Sequence, residues 1–304
     1  MNKVVFLFSG QGAQYSGMGE DLYKNSSAAK DILDSLDEIR PGLIDLCFHA
    51  THEELKLTIN TQPAVYAIDL AAAAAITQEG ISPCCVAGFS LGELAAVAFS
   101  KTFTAQQGLL LVQKRAALMA TAAEKNPGAM LAVLRMENEK VEELCSGHEL
   151  YPVNYNCPRQ LVVAGSESEI EYLQGKIKHV GGRSIKLAVS GGFHSPFMDE
   201  AAQGFALELK DVEFQPSPLP VYSNVTGEIY KGNAAELLTN QINHPVRWEK
   251  TIREMDKAGV DCFIELGPGK VLSGLVAKIL PKTPVFNVET SEDIKRIKEE
   301  MIDA

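Results

Sequence analysis

Apolar residues fall along this chain in two rhythms, and the change between them divides it. As far as about Lys125, short unbroken apolar runs alternate with long segments of helical period. The runs predict strands over residues 4–8 and 84–87, and the helical segments cover 63–77, 92–99 and 104–123. Strand and helix in alternation predict a parallel sheet, an α/β arrangement. Pro63 reads as a first-turn residue, where a missing N–H leaves no helical bond unmade, and Gly80 closes the same helix.

From Gly128 to Val189 the order changes to strand 129–134, helix 137–145, strands 151–156 and 160–164, helix 167–179 and strand 184–189. A β-α-β-β-α-β succession is the split βαβ unit of ferredoxin-like domains. Apolar runs near Val221 and over 262–266 then read as returns to the first sheet. No repeat, low-complexity tract or Pro/Gly/Ser linker interrupts the chain, so a second unit has to be inserted rather than appended. The expected division is a core of residues 1–125 and 191–304 with an insertion at 126–190.

Composition narrows the function classes. With 304 residues and 46% hydrophobic content the chain can bury a large core, which argues against disorder. A formal net charge of -11 argues against nucleic acid as a partner, and an acidic protein partner would need a local basic patch. The apolar run at Val4 follows Met1 without a basic leader or a long apolar segment, giving the expectation of a cytoplasmic protein without membrane contact. The cysteines Cys47, Cys84, Cys85, Cys145, Cys157 and Cys262 show no Cys-x-x-Cys spacing and read as buried free thiols. No His/Cys/Asp/Glu grouping has metal-ligand spacing, so no metal is expected.

The most informative segment is Gly88-Phe89-Ser90-Leu91-Gly92, set between Cys84-Cys85-Val86-Ala87 and the helix-forming Glu93-Leu94-Ala95-Ala96-Val97. A serine on a sharp strand-to-helix turn projects its hydroxyl from the sheet edge. Small flanking residues let the two backbones approach, and the following amide points at an oxyanion. Ser90-x-x-Glu93 is also a capping box, in which the hydroxyl merely satisfies the first helical amides. Capping requires neither glycine on both sides nor a strand before, and that context favours a nucleophile.

The segment after the first strand is Phe8-Ser9-Gly10-Gln11-Gly12-Ala13-Gln14-Tyr15. A dinucleotide-binding turn would need glycine where Tyr15 stands. The segment instead resembles the Gly-Gln-Gly-(Ser/Ala)-Gln signature that opens the malonyl-CoA:acyl-carrier-protein transacylases and the acyltransferase domains of fatty-acid and polyketide synthases. Further stretches resemble the same family in the same order: Thr61-Gln62-Pro63-Ala64, Ser90-Leu91-Gly92-Glu93, Gln113-Lys114-Arg115, Phe193-His194-Ser195-Pro196, Asn243-His244-Pro245-Val246-Arg247-Trp248 and Glu265-Leu266-Gly267-Pro268-Gly269-Lys270. The resemblance implies a hydrolase-like core with a parallel sheet plus an inserted ferredoxin-like subdomain, in agreement with the division made from periodicity.

It also implies an activity: ping-pong transfer of malonyl from malonyl-CoA to the phosphopantetheine thiol of an acyl carrier protein, without a separate cofactor. Ser90 is the implied nucleophile, His194 the base, and the backbone amides of Gln11 and Leu91 the oxyanion hole. His49, His52, His148 and His179 lie in polar or helical stretches and are expected at the surface, with His244 a weaker competitor for the base. The residues alone leave His194 open between a satisfied loop histidine and a base; the resemblance chooses the base. It further implies that a main-chain carbonyl near Gln241 orients this histidine, although a polar residue ending a helix accounts for Gln241 equally well.

Arg115 shares a helix face with Leu111 and Met119, but Lys114 has Leu110 and Leu118 in equivalent places, so helical phase does not choose between them. The resemblance assigns Arg115 to the malonyl carboxylate and Gln62 to the same substrate pocket. Phe193 stands where malonyl-selective relatives carry phenylalanine and would exclude an α-methyl branch, or it is core packing. Phe89 departs from the histidine more usual before the nucleophile, which puts acyl selection and the pocket floor in question. The Gly267-Pro268-Gly269-Lys270 turn lacks the Walker spacing and fixes the turn after a strand.

Lys176, Lys178, Arg183 and Lys186 are candidate contacts for an acidic carrier, or simply a solvated face. A thioester hydrolase acting on carrier proteins and a non-catalytic carrier-binding scaffold are the competing functions. A monomer is expected, in either fatty-acid or polyketide synthesis.

Overall fold

The computed structural model describes residues 3–189 and 191–302. β1 (Val4–Phe8) leads into α1 (Glu20–Asn25), α2 (Ser27–Ile39), α3 (Leu43–His49), α4 (His52–Lys56) and the long α5 (Thr58–Gln78). β2 (Cys85–Gly88) is followed by α6 (Leu91–Phe99) and α7 (Ala105–Lys125). Next come β3 (Ala129–Leu134), α8 (Asn138–Cys145), β4 (Leu150–Cys157), β5 (Gln160–Gly165), α9 (Glu167–His179) and β6 (Arg183–Lys186). The chain finishes through α10 (Asp199–Glu208), α11 (Ala234–Asn240), α12 (Trp248–Lys257), β7 (Cys262–Leu266), α13 (Val271–Ile279), β8 (Val285–Val288) and α14 (Ser291–Ile302).

The fold is α/β. Its main sheet runs β2-β1-β7-β8, all parallel. Every residue of β1 is buried because both faces of the sheet are covered. Val4, Phe6 and Phe8 enter a core shared with Val65, Leu94 and Val112, whereas Val5 and Leu7 pack with Trp248, Ile252, Leu272 and Val276. Covering two faces explains an apolar run without alternation. Full burial of each such side chain contributes about 1.5–3 kcal/mol.

The second sheet is antiparallel in the order β4-β5-β3-β6. Here the alternation separates two destinations. Leu131, Val133, Leu161 and Val163 pack with Val141, Ile170, Leu173 and Ile177 of α8 and α9. Met130, Ala132, Val162 and Ala164 turn the other way and join the larger core. A bridge between Asn154 and Val246 adds a backbone link between the two sheets' surroundings.

Several expectations need correction. Helix α5 starts at Thr58, so Pro63 lies inside it rather than in its first turn. The proline removes the bond to the carbonyl of Ile59, an exposed residue. Strand β6 covers Arg183–Lys186 rather than 184–189; beyond it Leu187 makes one more bond to Met130 before the chain leaves the sheet, and Ser190 lies outside the described residues. Near Val221 there is a single parallel bridge to Val86, not a strand, because Pro218 and Pro220 withhold the N–H groups a ladder needs. Five cysteines are buried and free as expected, but Cys84 is only half-buried. Among the described residues no helix is long and apolar enough to cross a membrane.

Candidate active site

β1, β2 and the Val221 segment run parallel and end at one edge of the main sheet, the edge at which open α/β sheets receive ligands. The turns leaving it carry Gln11, Ser90 and Asn224. Ser90 sits between β2 and α6 at φ 52° and ψ -105°, a conformation L-residues seldom adopt. Its hydroxyl makes no capping bond to α6, so the capping-box alternative does not describe it. The glycines explain how the turn closes. A Cβ on Gly88 would lie 1.9 Å from the backbone of Gly92, and one on Gly92 would lie 2.2 Å from the carbonyl oxygen of Phe8.

The freed hydroxyl meets His194, with Oγ 2.8 Å from Nε2. The other ring nitrogen, Nδ1, lies 2.7 Å from the carbonyl oxygen of Gln241. A carbonyl only accepts, so this contact assigns the proton to Nδ1 and leaves Nε2 a lone pair facing Ser90. His194 is itself at φ 62° and buried. Burial, reinforced by the charge on Arg115, draws its pKa from the usual 6.5 down to about 4. At neutral pH the imidazole is uncharged and able to take a proton. Gln241 follows directly on α11 as its C-cap, so it both ends a helix and orients the histidine. The other five histidines are exposed; His244 faces Asn240 and Asn243.

Helical phase left Arg115 and Lys114 equivalent; burial separates them. Arg115 is 1% exposed, while Lys114 is at the surface 3.4 Å from Glu208. Nη1 of Arg115 donates to Gln62 Oε1 at 2.7 Å, and Nη2 donates to Gln241 Oε1 at 2.8 Å and to Ser90 Oγ at 3.2 Å. Its Nε finds no partner among the described residues. Burial lowers its pKa to about 10, which still leaves it charged at neutral pH.

Gln11, Phe89, Ser90, Leu91, Arg115, Phe193 and His194 line one cleft with room for about 100 Å³, bounded by Met130, Asn154, Leu187 and Val189. The backbone N–H groups of Gln11 and Leu91 have no acceptor among the described residues. Phe89 rests edge-on against Trp248, ring centroids 5.4 Å apart, and Phe193 is 7% exposed. Every candidate residue therefore either lines this cleft or, like Gln62 and Gln241, braces Arg115 behind it. A larger hollow of about 610 Å³ lies beside Pro216 and Pro218, but neither Ser90 nor His194 reaches it.

Two residues escaped the sequence reading. Asn224 accepts from the N–H of Ser90 at 2.7 Å and donates to the carbonyl of Gly88 at 2.7 Å. Glu93, fully buried, accepts from the Asn224 N–H at 3.1 Å, the Tyr230 hydroxyl at 2.6 Å and Gln241 Nε2 at 2.8 Å. A signal for Glu93 was available, since it is the one charged position in the apolar α6. Asn224 gave none beyond following an apolar run.

An oriented hydroxyl, an uncharged base, two free amides and a buried cation are the parts that acyl transfer uses. A family model described as acyl transferase domain matches residues 5–297. The chain belongs to the acyl transferase domain family. Among members of this family, the malonyl CoA-acyl carrier protein transacylase of Bacillus subtilis is 38% identical over 313 residues, covering 99% of each protein. The crystal structure of malonyl CoA-acyl carrier protein transacylase from Clostridium perfringens superposes with a TM-score of 0.95 at 37% identity, covering 99% of this chain and 98% of that one. Another solved acyl transferase, a malonyl-transacylase in complex with its type II PKS acyl-carrier protein, gives a TM-score of 0.93 at 30% identity, covering 98% of this chain and 100% of that one.

Proposed function

We propose that this chain transfers a malonyl group from malonyl-CoA to the phosphopantetheine thiol of an acyl carrier protein through an ester on Ser90. The observation that carries the reading is one hydroxyl met from two sides, by His194 Nε2 at 2.8 Å and by Arg115 Nη2 at 3.2 Å. A base beside the hydroxyl suits acyl transfer. A buried guanidinium beside the same oxygen suits an acyl group ending in a carboxylate, with only one methylene between carboxylate and reacting carbonyl.

In the first half-reaction Ser90 Oγ attacks the thioester carbonyl while Nε2 of His194 takes its proton. The N–H groups of Gln11 and Leu91 hold the oxyanion, the C–S bond breaks, and His194 returns the proton to the departing CoA thiolate. The carrier thiol then gives its proton to His194 and attacks the ester carbonyl; collapse releases Ser90 Oγ, which recovers the proton. No cofactor or metal enters this cycle. Gln62 and Gln241 hold the guanidinium, and Phe193 and Phe89 shape the walls that select the acyl group.

The same reading takes residues 1–125 and 191–304 as a hydrolase-like core, a monomeric cytoplasmic unit, and 126–190 as an inserted ferredoxin-like subdomain. Support comes from the β4-β5-β3-β6 order, in which the insertion's last strand lies beside its first. The preset Arg115 favours transfer over general thioester hydrolysis, since a hydrolase gains nothing from a carboxylate clamp. Contact between Ser90 and His194 argues against a purely binding scaffold.

Intact-protein mass spectrometry after incubation with malonyl-, methylmalonyl- and acetyl-CoA tests the proposal. A malonyl adduct is expected in the native protein, none in Ser90→Ala, and loss of preference for malonyl in Arg115→Ala. A native protein that gains no malonyl mass, or gains it without Ser90, would remove the reading.

A further inference from the structure

The cycle above uses no carboxylate of the protein, yet Glu93 lies fully buried behind the cleft, against Gln241 and Asn224. Among the described residues no cation touches it directly. Between Glu93 and Arg115 stands the side-chain amide of Gln241, whose Oε1 accepts from Arg115 Nη2 at 2.8 Å and whose Nε2 donates to Glu93 Oε2 at 2.8 Å. An amide held head to tail between a cation and an anion has one orientation. In that orientation the same Nε2 also donates to the carbonyl of Ser90 at 2.6 Å, and the backbone of Gln241 orients His194. The other carboxylate oxygen seats the backbone of Asn224, whose side chain holds the Ser90 N–H. The aim of the serine and of the histidine thus passes through two residues, and both are held by Glu93.

We propose that Glu93 is a positioning residue and the counter-charge of Arg115 in the empty site, and that loading an acyl group with its own carboxylate makes Glu93 take up a proton. The inference rests on the proposed malonyl transfer. Before loading, the enclosed charges are the Arg115 cation and the ionised fraction of Glu93. A malonyl carboxylate against Arg115 adds a second anion, and two carboxylates near one guanidinium in a dry site, one touching it and one reached through Gln241, favour protonation of one. The charged or titratable groups facing Glu93 are Arg115 of α7 and Tyr230, with His194 linked only through Gln241. Burial already raises the Glu93 pKa to about 7, against the opposing bonds from Tyr230, Gln241 and Asn224. A modest added repulsion is therefore enough.

Proton uptake during loading of the whole protein is the measurement, followed at pH 7 with an indicator in weak buffer alongside the adduct mass. Exchange of a hydroxyl and a thioester for an ester and a thiol moves no net proton, so uptake belongs to the protein. Uptake of a fraction of a proton per malonyl group is expected, equal to the share of Glu93 that is ionised before loading, and none for any acetyl group that loads. Tyr230→Phe removes a bond that favours the ionised form, so the variant is expected to load malonyl with a smaller uptake. Glu93→Gln is expected to abolish uptake and slow loading about tenfold or more, with Glu93→Asp restoring part of the rate. A malonyl adduct formed without uptake, or equal uptake with acetyl, would overturn the inference and leave the transfer reading intact; absence of any adduct would overturn that reading instead. Loading of Glu93→Gln at the native rate would remove the positioning role.

Discussion

His194 reaches Ser90 uncharged because burial and the neighbouring Arg115 both oppose its protonation. The form that can accept the serine proton is the deprotonated one, which persists above the folded-state pKa of about 4 and is lost as pH falls through it. In Glu93→Gln, where no buried carboxylate titrates near neutral pH, modification of Ser90 by phenylmethylsulfonyl fluoride should therefore keep its rate from pH 7 to near 5 and decline only around 4. A decline centred near 6.5 would mean that the imidazole is solvated as in a free peptide. Gln241 offers a second test at this scale. Gln241→Ala keeps the carbonyl that orients His194 but strips partners from Arg115, Ser90 and Glu93. Taking one hydrogen bond from each of the buried charged groups Arg115 and Glu93 costs about 1–3 kcal/mol, so malonylation should slow by about ten- to a hundredfold with the pH midpoint of Ser90 modification unmoved. The serine was legible from its glycines and its strand-turn-helix setting, and His194 and Arg115 only through family resemblance. Glu93, although the one charged position in the apolar α6, is ambiguous in the sequence because a glutamate three residues after a serine also makes sense as a cap, and Asn224 is hidden because a lone asparagine in a turn has too many ordinary uses.

Elements constrain the site through close backbone packing. The α6 N-terminus presses against β1, and a methyl group on Gly92 would meet the carbonyl oxygens of both Phe8 and Ser9 at 2.5 Å or less. Gly92→Ala should force the helix start outward, lower the melting temperature and abolish acylation of Ser90 together. Gly175 provides the contrast: it is exposed within α9 and a Cβ there meets nothing within 4 Å. Gly175→Ala should raise stability by about 0.5–1 kcal/mol in chemical denaturation while leaving loading untouched. The strands over Val4–Phe8, Ala129–Leu134 and Cys262–Leu266 could be read because they are buried almost throughout and so stand out as unbroken apolar runs, and the helix over Glu167–His179 because its buried Ile170, Leu173 and Ile177 recur at helical spacing. Helices α1, α3 and α4 could not, since they span at most seven residues and show too few turns for a period to emerge. Around Val221, a segment apolar enough for a strand lost its ladder to flanking prolines, a backbone effect that hydrophobicity does not register.

Over the whole molecule, the net charge of -11 would repel an acidic carrier unless the approach is locally basic. Lys176 and Lys178 occupy the last turn of α9, and Arg183 and Lys186 lie on β6, the edge strand of the second sheet. All four are exposed. Part of their charge is spoken for: Lys186 pairs with Glu167, and Lys176 lies 5.1 Å from the centre of the Tyr172 ring. Position argues for them nonetheless. Strand β6 continues into Leu187 and Val189, which line the Ser90 cleft, so this edge adjoins the opening that a carrier's thiol has to reach. Reversing Lys178 and Arg183 to glutamate should raise the KM for the carrier several-fold at low salt, with a much smaller effect on loading from malonyl-CoA. The difference should fade at about 1 M salt, where the screening length is about 3 Å. Unchanged transfer to the carrier at low salt would mean that these cations are only a solvated face and that the carrier approaches the cleft from another side.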